Sequence, residues 1–158
     1  MEDREKVLRG IADGVRDAFS SASPIVEHEI SPVACEHGDN LRGALGGRRW
    51  QEIEPEWIAS LYDHLPFLSD VAYHSYYPAF VLAAIRDFQP PGDSFMFLVF
   101  DSSPSERSMA DFSSRKRLFS LVEKRAVHAF FEYANSLEEM APMQPELGQA
   151  VANWDITS

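Results

Sequence analysis

The segment from Trp57 to Phe88, WIASLYDHLPFLSDVAYHSYYPAFVLAAIRDF, constrains the fold more than any other part of the chain. Aromatic and aliphatic residues recur in it at helical spacing around two prolines, Pro66 and Pro78. It reads as the centre of a hydrophobic core and carries no catalytic signature. Pro55 suits the first turn of a helix whose apolar face is Trp57, Ile58, Leu61 and Tyr62. His64-Leu65-Pro66 breaks that helix. Ser69 then stands where an N-cap belongs, with Asp70 favourable to the helix dipole. The spacing predicts a second helix from there to about Phe88. Pro78 lacks an amide donor, so it must kink this helix or restart it. Tyr73, Tyr76, Tyr77 and Phe80 read as core packing rather than pocket walls. Buried tyrosine hydroxyls need partners, so one or two should reach the surface or a buried polar group.

Other helices follow from the same reasoning. Residues 2 to 20 place Leu8, Ile11, Ala12, Val15, Ala18 and Phe19 on one face of an opening helix. Residues 25 to 30 alternate imperfectly and read as a short strand or an extended loop, and Pro32 argues against a long strand. Asn40 is a candidate cap for a short helix over Leu41 to Leu45, stopped by Gly46-Gly47. Pro90-Pro91-Gly92 is the strongest turn signal. The apolar run Phe95 to Phe100 could be strand or helix by periodicity alone. The helical reading is preferred, with Asp93 or Ser94 as cap. Residues 101 to 111 are expected to form a polar loop, and Arg115 to Phe119 a short basic helix. Ser120-Leu-Val-Glu123 matches a capping box and opens a helix carrying Val127, Phe130, Phe131, Ala134 and Leu137. After Pro142 and Pro145, a last helix carries Leu147, Val151 and Trp154. The fold class is therefore all-α, with six to eight helices in a single domain over residues 1–158 and an extended segment near 25–30 as the one exception.

At 158 residues a chain can bury roughly 70% of its unfolded surface without staples. The 25 acidic and 14 basic residues give a formal charge of -11, which disfavours non-specific binding to nucleic acid or anionic membrane. It suits a basic partner. One cysteine, Cys35, excludes an internal disulfide framework and fits a reducing compartment. The N-terminus lacks an apolar signal region and no apolar run approaches membrane-spanning length, so a cytoplasmic location is expected.

Chemistry-bearing residues are sparse. His28 and Glu29, with Cys35, Glu36 and His37, gather metal-ligand types in ten residues, but their spacing matches no standard site. Surface polar residues around a half-buried Cys35 are the preferred reading. A Cys-His nucleophile rests on no motif. Asp70 and His74 share a helix face, and a cap with an ordinary neighbour explains them without catalysis. No GxGxxG, GxxxxGK[ST], HExxH, CxxC or GxSxG pattern occurs. No cofactor and no metal site is expected. The basic cluster Arg115, Lys116, Arg117, Lys124 and Arg125 reads as a solvated helix face pairing with nearby acids.

The order Trp57, Leu65-Pro66-Phe67-Leu68, Tyr76-Tyr77-Pro78-Ala79-Phe80, a basic linker and Phe130-Phe131-Glu132-Tyr133 resembles a family of small, mostly bacterial helical proteins of unknown function. The resemblance covers roughly residues 40 to 138. It implies a helical fold and a bacterial origin, and it carries no site.

The stretch from Glu27 to Asp70 holds nine acids against three arginines. Glu52, Glu54 and Glu56 flank Pro55 closely, and with Asp63 they are the candidate partner-binding residues; Glu138 and Glu139 are secondary ones. Together they suggest an acidic protein-binding module, such as an immunity-type inhibitor that neutralises a basic toxin. An enzyme with an unrecognised helical site and a structural or regulatory helical domain are the alternatives. The oligomeric state is open.

Overall fold

The computed structural model describes residues 2–88 and 90–156. Among them are eight α-helices, several short 3₁₀ turns and no strand. The helices are α1 (Glu2–Ala18), α2 (Glu36–Leu45), α3 (Pro55–Ser60), α4 (Asp70–Arg86), α5 (Asp93–Asp101), α6 (Met109–Lys116), α7 (Leu121–Ser136) and α8 (Glu146–Trp154). The all-α reading stands, and the segment near 25–30 is corrected: Glu27–Glu29 is a 3₁₀ turn. None of the described helices is long and apolar enough to cross a membrane.

Helix α4 is the axis of the molecule. Eleven of its seventeen residues are buried. A helix apolar all round must be covered on every side. Helices α1, α3, α5 and α6 pack against it, while α7 packs on α1 and α8. Ser69 caps α4 as its sequence position predicts, its side chain accepting the Ala72 amide. The helix is continuous through Pro78. The missing proline amide leaves the fourth carbonyl back, that of His74, without its usual donor, yet does not restart the helix.

The three tyrosines of α4 tie this core together. Their side chains are all at most 1% exposed. Tyr76 Oη lies 2.9 Å from the Leu45 carbonyl and 2.6 Å from that of Arg48, and accepts the Ile25 amide at 3.2 Å. One phenol thereby satisfies the C-terminal end of α2 and the loop before it. Tyr77 shares a hydrogen bond with Ser102, which also accepts Trp154 Nε1–H of α8 at 3.0 Å. Tyr73 donates to Asp101. All three hydroxyls reach polar groups inside the protein, and none is at the surface.

Three helix starts depart from the sequence reading, and at one of them, α5, a side chain from another helix supplies the cap. Asn40 lies inside α2, which begins at Glu36 after Cys35. Helix α5 is capped by neither Asp93 nor Ser94: the Asp87 carboxylate, at the end of α4, accepts the Ser94 amide at 2.9 Å. A Cβ at Gly92 would fall 2.0 Å from the Asp87 carboxylate, which would then have to shift from its place at the Ser94 amide. Helix α6 begins at Met109, within the stretch read as loop, and ends before Phe119. Helix α7 opens on the expected box: Ser120 Oγ accepts the Glu123 amide and Glu123 accepts the Ser120 amide. The same Glu123 oxygen also meets His74 Nε2 of α4 at 2.9 Å. Burial opposes the Glu123 charge, but the hydrogen bonds from His74 and Ser120 outweigh it and hold the carboxyl below its ordinary range.

Replacing Tyr76 with Phe should lower unfolding stability by about 2–3 kcal/mol, because it leaves buried carbonyls and an amide unpaired. Urea denaturation of Tyr76→Phe beside the parent protein checks this.

Candidate functional site

Helix α5 connects two neighbouring clefts. Its first residue, Asp93, lines a cleft of about 540 Å³ with Glu56, Tyr62, Arg86 and Asp87. Its last turn lines a second cleft of about 350 Å³, walled by Phe97, Phe100 and Phe112 and floored by Tyr73 and Asp101. The Tyr62 and Phe97 rings meet edge to face with centroids 5.9 Å apart, and each ring lines one of the clefts.

The second cleft has the more unusual chemistry. Asp101 follows the apolar run Phe95 to Phe100 at the end of α5, DSFMFLVFD, four residues after Phe97, so the Phe97 and Asp101 side chains fall on one face. Tyr73 O–H donates to Asp101 Oδ2 at 2.5 Å. The other carboxylate oxygen takes no hydrogen bond from the described residues, and no buried side-chain polar atom among them lacks a partner. Oδ1 is therefore the atom that opens to the cleft. Burial pushes the Asp101 carboxyl from 3.8 up to about 6, against the opposing effects of the Tyr73 hydrogen bond and the Arg115 charge. Burial, with Asp101 adding to it, also drives the Tyr73 hydroxyl well above its ordinary value. It stays a donor.

Arg115 forms the back of this cleft and is already committed. Its guanidinium lies 4.9 Å over the Tyr73 ring. It donates to the carbonyls of Pro66 at 3.0 Å and Leu68 at 2.9 Å, and pairs with Asp70 at 3.3 Å. Lys116 donates to the Asn153 carbonyl of α8 at 2.8 Å. Arg115 and Lys116 are thus clamps between elements rather than part of a solvated face, while Arg117 and Arg125 of the same cluster are exposed.

The residues singled out from sequence are distributed as follows. Glu52, Glu54 and Glu56 are all exposed. Glu52 ends a 3₁₀ turn and Glu54 directly precedes α3. Trp57, one turn into α3, is 44% exposed and carries the Arg48 guanidinium 5.4 Å over its ring. The Asp63 side chain is 45% exposed and bonds His64 Nδ1 at 2.7 Å. His64 Nε2 in turn meets His37 Nδ1 at 3.2 Å, and His37 stacks on Phe67. Glu139 pairs with Arg4 across the molecule. His28 projects into solvent beside Glu29. Among the described residues no three His, Cys, Asp or Glu side chains converge as metal ligands. Asp70 and His74 share a helix but not a partner: one meets Arg115, the other Glu123.

Sequence reasoning passed over Asp87, Asp93, Asp101 and Asp111, which line the two clefts. The signal for Asp101 was present, since an acid ends an apolar run while phenols nearby require acceptors.

A family model described as a family of unknown function, DUF6714, matches residues 26–157. The chain belongs to that family. The match extends beyond residues 40 to 138, where the sequence resemblance was read, and takes in α2, α8 and the clefts along α5. Neither a curated protein nor a solved structure matches the chain.

The raised Asp101 carboxyl gives a signed expectation. The folded state favours the protonated form, so its contribution to stability is complete below about pH 4 and is lost as pH rises through about 6. Asn keeps an acceptor for Tyr73 without the buried charge. Asp101→Asn should therefore exceed the parent in stability by about 2 kcal/mol near pH 8, with the gap closing near pH 4. Thermal melts across that pH range measure it.

Proposed function

We propose that this protein is a non-catalytic binding module for a basic protein, as a bacterial cytoplasmic inhibitor of a basic toxin would be. The observation that supports this reading most is the set of acidic groups that line the two clefts beside α5. Glu56, Asp87 and Asp93 line one cleft, and Asp101 and Asp111 line the next. Glu52 and Glu54 lie exposed just before α3. Complementary charge of this kind steers encounter and fixes orientation more than it adds affinity. Affinity needs an anchor, and Trp57, 44% exposed on α3 with the Arg48 guanidinium over its ring, has the residue type and exposure of one. Asp63, whose side chain is 45% exposed, adds to this surface while also bonding His64 in the turn after α3.

Tagged protein from the native cell should retain a stoichiometric basic protein at low salt and release it as salt rises, since exposed charge pairs are screened beyond roughly 10 Å at 0.1 M. The variant Glu52→Lys/Glu54→Lys/Glu56→Lys should retain roughly tenfold less of it. Equal retention by this variant, or a chain that emerges alone, overturns the reading.

A further inference from the structure

We infer that the cleft between α5 and α6 is a pocket for a single arginine side chain, presented by the basic protein partner. This inference rests on the reading above and names what that partner inserts. The floor is the free Oδ1 of Asp101, held in place from behind by the Tyr73 hydroxyl bonded to Oδ2. The walls are the rings of Phe97, Phe100 and Phe112, with Asp111 on the lining as a second negative charge. Phe100 is 49% exposed, an apolar ring left uncovered at the mouth of an acidic pocket.

The chemistry of the lining selects the occupant. A guanidinium is planar, always charged and weakly hydrated, so it stacks on aromatic faces while donating to a carboxylate. An anion would meet Asp101 and Asp111, and the one cation in the lining, Arg115, has its donors on backbone carbonyls and Asp70. A neutral apolar group would strand the Asp101 oxygen without water or partner. The size agrees. At about 350 Å³ the cleft is at the small end of organic-ligand pockets, roughly 300–1,000 Å³, which leaves room for one side chain and not for a nucleotide cofactor. A carboxylate held where burial disfavours its charge is also what a cation-binding pocket would retain.

The test uses the full chain and amide proton–nitrogen NMR. N-acetyl-arginine amide is titrated in, with N-acetyl-citrulline amide as its neutral twin. Saturable shifts should appear in α5 and α6 with the arginine compound and not with citrulline. Asp101→Asn, which is expected to fold at least as well as the parent, should bind roughly tenfold more weakly, the loss of one charge-assisted hydrogen bond. Phe100→Ala, at an exposed position, should also weaken binding. Equal shifts with citrulline, or unchanged affinity in Asp101→Asn, would overturn the pocket. Arginine that titrates in while the Glu52/Glu54/Glu56 reversal leaves partner retention intact sinks the acidic-face reading and keeps the pocket. The converse result sinks the pocket alone.

Discussion

A phenol taken out of water must find a hydrogen-bond partner, and α4 buries three of them within five residues. Much of the surrounding architecture meets that demand. Tyr76 draws in the end of α2 and the chain around Ile25. Tyr77 fixes the turn after α5, and through Ser102 it fixes the indole of α8. Tyr73 turns toward the end of α5 and meets a carboxyl. Tyr73 and Tyr77, one turn apart, share a face of α4 and both reach the end of α5, while Tyr76 pulls on α2. An apolar helix could be covered in many ways, but three directional bonds leave few.

The third of these bonds differs from the other two. A carbonyl or a serine would accept the Tyr73 proton without cost, whereas Asp101 is held where its charge is disfavoured. The fold does not need a carboxylate there. That contrast, between two structurally ordinary solutions and one in which burial disfavours the charge, sets the cleft beside Asp101 apart. The relay from Asp63 through His64 to His37 has no such excess. His64 is 7% exposed, and both its ring nitrogens are used within the protein.

What could be read from sequence was local. The Ser69 cap, the Ser120–Glu123 box, Pro55 in a first turn and the α7 face depend on residues within a few positions of one another. The readings that failed involve distant partners. The start of α5 is set by Asp87 from the preceding helix, so neither Asp93 nor Ser94 was the cap. Arg115 looked solvated because its acceptors, the carbonyls of Pro66 and Leu68, are almost fifty residues away. The acidic cluster before α3 was legible from composition. The carboxyl in the cleft was not, because its meaning comes from Tyr73, twenty-eight positions earlier.

Glu123 links two processes that are usually separate. The first turn of an isolated helix frays easily, at a free energy far below that of global unfolding. Here the carboxylate oxygen that satisfies the Ser120 amide also receives the proton of His74 from the central helix. Opening the start of α7 therefore strips a partner from α4, and displacing α4 uncaps α7. The amino end of α7 is bound into the cooperative unit of the core, although Leu121 and Val122 beside it stand half in water.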